Sequence, residues 1–483
     1  MHVVIIGNGI IALTAAFRIA KRANSLDKIT IIGKKERPGS ATLAAAAMFN
    51  SFGEIEAGSL DTDLDLYRFE LSHLAAHMWK KFEDEVIDAA MQRLPSACSE
   101  CSGFNGGGCI DTGTYIINNT AADDLDDENF DAIVSALENF NEPFQHINPK
   151  DIPNYHPHQR LRATRAIYIH GEGWINPRIF IEKLDAALEG FPQITFIDST
   201  VENIHENNCQ IDHVTTKDKQ VINGDVFILA TGATATDLLA ESSIDLGIQR
   251  IFYGVGTSIE IRSPDHVHTK CIRTPNRGLA CGIYSVPYFQ SPKQKNDHIL
   301  IGATNFISPN PYPYGRLTSV ESLMRASIEQ INSHFYRADL IRVNVGWRPT
   351  SQDTLPLIGK TSISNLIIAT GTKRDGFHMS PLISEKIAEM VYGDTVDVRF
   401  SVFAPERQLL HTLTREQAIK KSVKHIINAA YQHGFQPAHN RMPDQLIRLH
   451  TEDLERLHDQ VGAYDWGIPP EMIDMYRYGH AKP

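Results

Sequence analysis

The chain has 483 residues, 42% of them hydrophobic, and a formal net charge of -12. That length permits two or three domains with large cores, and the acidic balance argues against nonspecific nucleic-acid binding. No apolar run reaches the ~18 residues of a membrane span. The first apolar run has no basic region before it and is broken by glycines, so it reads as a strand, not as a signal peptide, and a cytoplasmic location is expected.

In chain order, the first element is the strand Val3-Val4-Ile5-Ile6, followed by Gly7-Asn8-Gly9-Ile10-Ile11-Ala12 and a helix to about Arg22. Gly7 permits a sharp turn. Gly9 lets backbone approach a pyrophosphate, whose charge sits on the positive end of the helix with the amides of Ile10 and Ile11. Ala12 is small enough for the helix to pack on the strand. Residues 29–32 form the second strand of a βαβ unit. An acid to hold ribose hydroxyls is expected at its end, but Gly33 stands there, followed by Lys34, Lys35 and Glu36. Glu36 reaching back is one substitute; the lysines would instead suit the 2′-phosphate of NADP, which the rest of the chain argues against.

Residues 40–47 are small and alanine-rich and lead into Met48. Small side chains at Ala46 and Ala47 let backbone approach a flat ring. Cys98-Ser99-Glu100-Cys101 resembles half a zinc site, with Cys109 nearby. A structural zinc needs four ligands, only three are local, and no histidine has the usual spacing. No metal is expected, and reduced thiols are the better reading. Gly173-Trp174-Ile175-Asn176-Pro177 reads as a turn before a helix over residues 178–188, and residues 194–197 as a strand before Val201. A buried strand over 225–229 ends in Ala230-Thr231-Gly232-Ala233. Residues 252–261 and 282–304 suit an antiparallel sheet, with Tyr284 on an alternating stretch. Farther on stand Gly346-Trp347-Arg348-Pro349, Asp353, Gly359 and Gly371-Thr372-Lys373-Arg374-Asp375-Gly376-Phe377. Ser380-Pro381 reads as a helix N-cap and first turn, with the helix over 381–391.

In this order the pieces resemble the D-amino-acid-oxidase-like flavoproteins, and among them glycine oxidase and sarcosine-oxidase-like enzymes, over about residues 1–395. The resemblance implies an α/β fold. A discontinuous Rossmann-like FAD-binding domain would comprise residues 1–80, 150–235 and 340–395, and a substrate domain with an antiparallel sheet residues 81–149 and 236–339. It further implies that Val201 holds the adenine through its backbone and that Thr231 and Gly232 line the cofactor. The turn Asp375, Gly376, Phe377, His378 and Met379 would face the flavin, where helix N-terminal amides stabilise negative charge. Arg348 would bind a substrate carboxylate as a planar fork and also touch the flavin. Arg374, Tyr284 and His378 would share its pocket. His378 and Asp375 depart from the usual apolar residue and asparagine, which weakens glycine itself as the substrate. FAD is expected to be noncovalent, because residues 40–43 contain no Cys or His and Cys281 is too far upstream of Arg348.

The implied reaction is oxidation of the C–N bond of an amino acid or related carboxylate-bearing amine by hydride transfer to flavin N5, giving an imine that can hydrolyse. Two alternatives are a dehydrogenase of a specialised or carrier-linked amine with a non-oxygen acceptor, and an FAD-containing binding or assembly protein.

Residues 396–483 lie beyond the resemblance. Thr414-Arg415-Glu416-Gln417 is a capping box; Ile419, Val423, Ile426, Ile427 and Ala430 form an apolar face, with Lys420, Lys421 and Lys424 on a solvated one. A second helical stretch carries Leu446, Leu449, Leu454, Leu457 and Val461. So apolar a helical extension is expected to dock, on its own core, in a homodimer or on a partner.

Overall fold

The computed structural model describes residues 1–94, 109–277, 282–288, 297–432 and 434–483. Cys98, Cys101 and Cys281 lie outside the described residues.

The apolar runs at the N-terminus, at 226–229 and at 366–370 become neighbours in a six-stranded sheet. Its spatial order is Leu357–Lys360, Leu366–Thr370, Val226–Leu229, His2–Ile6, Lys28–Ile32 and Ile194–Ile197. All neighbours are parallel except the edge strand Leu357–Lys360. Continuous apolar strands are what a parallel sheet covered on both faces requires. Val3, Ile5, Ile29, Ile31, Ile228 and Ile367 face the helices Ile10–Arg22, Asp63–Ala90, Pro177–Glu189 and Ser380–Tyr392. Val4, Ile6, Phe227, Leu229, Leu366 and Ile368 face the helix Ala235–Glu241 and the small sheet Val201–Asn207, Gln210–Thr216 and Val221–Asn223.

The second large sheet has ten strands and is antiparallel apart from the parallel pair Cys271–Arg273 and Asp111–Asn118. Ile251–Arg262 lies near one edge and pairs along its length with Asp339–Ser351. Two strands expected with the cofactor segments, Arg165–Trp174 and Asp339–Ser351, hydrogen-bond into this sheet. Gly173 and Trp174 are therefore strand, not turn. Here the backbones come so close that a Cβ on Gly173 would lie 2.0 Å from Asp111 O. The chain leaves the strand at Asn176, whose Oδ1 accepts from the amides of Arg178 and Ile179 and caps the helix Pro177–Glu189.

The extension docks on its own chain. Helices Arg415–Gln432 and Met442–Val461 and the short helix Ile473–Arg477 bury Ile419, Val423, Ile427, Leu454, Leu457 and Tyr476 in one cluster with Phe252 of the ten-stranded sheet. The capping box forms reciprocally: Gln417 N donates to Thr414 Oγ1 at 3.3 Å, and Thr414 N to Gln417 Oε1 at 2.9 Å. The lysine face is not simply solvated. Lys421 pairs with Glu56 at 2.9 Å and Lys424 pairs with Glu128, while Lys420 stays exposed. Acids on the core reach this side of the helix.

Candidate functional site

A cleft of ≈ 660 Å³ opens at the C-terminal ends of the parallel strands, where Gly7, Gly33, Thr231 and Thr372 follow their strands into loops. Gly7 has φ +115°, and a Cβ there would sit 2.4 Å from Ala230 O. Only glycine fits. Gly9 differs: a Cβ would meet nothing closer than Thr42 Oγ1 at 3.6 Å, so its open side faces the cleft. The helix Ile10–Arg22 starts at Gly9 with no side-chain cap and no acid in its first turn. Ile10 N donates to Thr42 Oγ1 at 3.1 Å. Arg37, not anticipated from sequence, pins the turn by donating from Nε to Asn8 O at 2.9 Å while its Nη2 holds both oxygens of Asp185.

The missing ribose acid has a steric explanation. A Cβ on Gly33 would lie 2.5 Å from the Asn8 side chain, which donates to Lys34 O at 2.8 Å. Asn8 fills the space in which an acid at 33 would start. Glu36 is exposed and absent from the cleft lining, whereas Lys34 and Glu202 are in it. Lys34 Nζ donates to Asp198 O at 3.2 Å.

Gly7, Gly9, Ile10, Ile11, Val201, Thr231 and Gly232 all line the cleft. Ala12 does not; it is fully buried in the helix–sheet core. The Thr231 hydroxyl is buried at the cleft wall and, among the described residues, has no hydrogen-bond partner. An open glycine, a helix start without acid and an orphaned hydroxyl fit a dinucleotide such as FAD. Among the described residues, the lining contains neither Cys nor His.

The N-terminal region and the Trp347-Arg348-Pro349 segment meet at Trp347. Its amide donates to Gly39 O at 2.9 Å, and its ring fills the space a Cβ on Gly39 would need. Beyond it a second cavity of ≈ 340 Å³ shares Ala45, Tyr284, Arg348, Thr372, Lys373, Arg374 and Phe377 with the cleft. Ala46, Ala47, Met48, Asp375, His378 and Met379 line only this second cavity, and Gly376 only the first. Phe377 is held by parallel stacking on Trp79, with ring centroids 5.3 Å apart.

Arg348 stands on Asp339–Ser351, with its guanidinium laid against the backbone of Gly256, where a Cβ would be 2.2 Å from Nη1. Nη1 donates to Thr304 O and Asn305 Oδ1, each at 3.1 Å. Among the described residues no carboxylate lies within 4.0 Å of Arg348, whereas Arg374 is 3.6 Å from Glu54. Tyr284 packs over Gly302, where a Cβ would meet its hydroxyl at 2.3 Å.

His378 is turned away from the cleft. Its Nε2 donates to Ser72 O at 2.7 Å, and its own carbonyl accepts from Trp79 Nε1 at 2.7 Å. Burial lowers its pKa, partly offset by the Ser72 carbonyl and Asp375, so the ring is neutral at pH 7. Ser380 is not a side-chain cap. The chain already turns helically before it, with Met379 N bonded to Asp375 O and Ser380 N to Phe377 O, so its hydroxyl falls inside the first turn, buried and, among the described residues, unpartnered.

Sequence reasoning missed Glu54, Glu56, His425 and Glu471, which line the second cavity, and misplaced Lys421. A signal existed: Ser422, His425 and Asn428 recur at helical spacing and are all buried, a polar stripe beside an apolar face.

The profile of the family described as DAO, FAD dependent oxidoreductase, matches residues 2–390. The chain belongs to the DAO family of FAD-dependent oxidoreductases. It is 24% identical over 270 residues to the bifunctional protein ThiO/ThiG of Trichormus variabilis, covering 55% of this chain and 37% of that protein. It is 24% identical over 251 residues to the glycine oxidase of Pseudomonas putida, covering 50% of this chain and 62% of the relative. With the D-amino acid dehydrogenase of Neisseria gonorrhoeae it shares 20% identity over 273 residues, covering 55% and 61%. Each match thus spans less than two thirds of the relative, and little more than a third of the ThiO/ThiG protein. Among solved structures, glycine oxidase from Geobacillus kaustophilus superposes with a TM-score of 0.66 at 19% identity, covering 84% of this chain and 99% of that one. Iminodiacetate oxidase from Chelativorans sp. BNC1 gives 0.64 at 19% identity, covering 83% and 98%. These likenesses show that the DAO-family fold is shared. Among the described residues no helix is long and apolar enough to cross a membrane.

Proposed function

We propose that this DAO-family member oxidises the C–N bond of an amino acid or related amine that carries a carboxylate. One observation carries the reading: Arg348 lies where cleft and second cavity join and, among the described residues, has no carboxylate partner. Its Nη1 is committed to Thr304 and Asn305, which fixes the guanidinium plane and leaves Nη2 to a carboxylate as a charge-assisted donor.

Gly7, Gly9, Ile10, Ile11, Lys34, Val201, Thr231, Gly232, Gly376 and Phe377 would hold FAD in the cleft. Bound FAD supplies the two-electron acceptor. Ala46 and Ala47 line the second cavity, and Tyr284 and Phe377 line its junction with the cleft. Arg348 orients the substrate by its carboxylate, and such positioning accounts for much of the rate. His378 keeps its proton on the Ser72 carbonyl and takes no part as a base; the neutral amine lone pair assists instead. In net terms the amine loses a hydride and a proton, two electrons in all, to become an imine. Water can hydrolyse that to a keto or aldehyde acid plus ammonia or a primary amine.

Anaerobic bleaching of the purified holoenzyme by a panel of amines tests this reading, with bleaching expected from at least one carboxylate-bearing amine. Arg348→Lys keeps the charge but not the planar fork. It should retain FAD and lose about 10- to 150-fold in turnover, the worth of one charged hydrogen bond. Unchanged kinetics would remove Arg348 from the substrate site.

A further inference from the structure

Residues 396–483 lie outside the stretch matched by the DAO family, yet they form the far wall of the second cavity with His411, Lys421, His425, Pro470 and Glu471. Among the described residues, five Lys and Arg side chains line that cavity: Arg68, Arg348, Lys373, Arg374 and Lys421. Four have a carboxylate. Arg68 faces Asp375 at 4.0 Å and Arg374 faces Glu54 at 3.6 Å, both within the core. The other two pairs join core to extension: Lys421 with Glu56 at 2.9 Å, and Lys373 with Glu471 at 2.6 Å.

Lys373 and Glu471 are only 16% and 13% exposed. A largely buried ion pair adds little net stability, so holding the extension in place does not by itself account for it. Lys373 reaches both cavities, as Arg348 does. Without Glu471 its ammonium would be a second seat for an anion in the same chamber. Glu471 also lies 3.5 Å from Asn305 Nδ2, and the Oδ1 of that amide accepts from Arg348 Nη1. One carboxylate therefore occupies Lys373 and helps orient the acceptor that fixes Arg348.

We propose that Glu471 is a specificity-determining residue: by occupying Lys373 it leaves Arg348 as the chamber's anion seat and restricts the enzyme to substrates with one carboxylate. This rests on the reading of Arg348 as the carboxylate-binding group. A dicarboxylate that reaches Arg348 meets the charge of Glu471 where its second anion would settle.

The test is a titration of the FAD-loaded full chain with acetate, malonate and acetamide, followed by the flavin absorbance difference spectrum, with Tm recorded for each variant. Wild type should prefer acetate to both malonate and acetamide. Glu471→Gln should raise malonate affinity relative to acetate by at least about fivefold, a conservative figure for one new charged hydrogen bond. Adding Lys373→Met to Glu471→Gln should return the ratio to that of wild type, a reversal that a merely structural role for Glu471 does not produce. If Glu471→Gln folds poorly, Glu471→Ala gives the same reading on its folded, yellow fraction. A malonate-to-acetate ratio unchanged within twofold, or a gain that survives Lys373→Met, overturns the proposal while leaving Arg348 in place. A wild-type enzyme that binds acetate no better than acetamide overturns the Arg348 reading itself, and this proposal with it.

Discussion

Gly256→Ala isolates the placement of Arg348 without touching it. The backbone at 256 is not in the left-handed region, so alanine adds no conformational strain there. A Cβ at 256 would stand 2.2 Å from Arg348 Nη1, 2.4 Å from Cζ and 2.5 Å from Nη2, against the 3.4–4 Å of ordinary contact. The guanidinium must retreat by more than ~1 Å, and it is the far end of a flexible side chain, so the sheet need not move. That retreat breaks the 3.1 Å hydrogen bonds from Nη1 to Thr304 O and Asn305 Oδ1. A misplacement of ~1 Å in a positioning group can cost ~100-fold, so kcat/KM should fall by about 10- to 100-fold. Steady-state kinetics on a carboxylate-bearing amine, alongside FAD content and a thermal melt, form the assay. FAD content should be unchanged and Tm should shift by only a few degrees. Wild-type kcat/KM in Gly256→Ala would refute the argument that Arg348 works from its seat on this glycine.

Gly9→Glu should give a folded but colourless protein, because the Cβ position is open and the added carboxylate enters the cleft; normal FAD affinity in the folded variant would contradict the pyrophosphate assignment. Truncation after Asp394 should uncover Phe252 and the faces that Lys421 and Glu471 now meet, giving aggregation and loss of turnover. Light scattering, melting and kinetics indistinguishable from the full chain would make the extension dispensable. Glu172 supplies a pH signature: it is 3% exposed, and burial pushes its pKa up to about 8, against the amide of Gly53 and the charge of Arg273. The folded state keeps a proton that the unfolded chain releases near 4.5, so this contribution is full at acid pH and is lost as pH rises through about 8. Glu172→Gln should therefore flatten the fall in Tm between pH 5 and 8.5; equal slopes in mutant and wild type would refute it.

What was legible in the sequence was local. The apolar strands, the glycine turn, the helix starting at Ile10 and the capping box at Thr414 follow from patterns a few residues long, and the structure holds each of them. Arg348 and Tyr284 were named because they sit in segments with recognisable order, and both line the junction of the two cavities. All but one of the misses are long-range. Whether Gly173-Trp174 is turn or strand depends on Asp111 and Met48 lying alongside. Gly33 carries no acid because of Asn8, 25 positions earlier in the chain. The fate of Lys421 and Glu471 is decided by Glu56 and Lys373, far earlier in the chain, and no local pattern predicts such a pairing. Ser380 failed for a subtler reason: the serine-proline pair marks a helix start, but the turn before it had already begun the helix.

The central claim is that Arg348 reads a carboxylate. Anaerobic stopped-flow reduction of the flavin by a matched pair, an amino acid found active in the bleaching panel and its primary amide, tests it most directly. The wild-type enzyme should favour the acid by at least about tenfold, the lower worth of a charged hydrogen bond, and Arg348→Met should erase that preference while retaining FAD. Equal reduction of wild type by acid and amide, or a preference for the acid that survives Arg348→Met, would contradict the account.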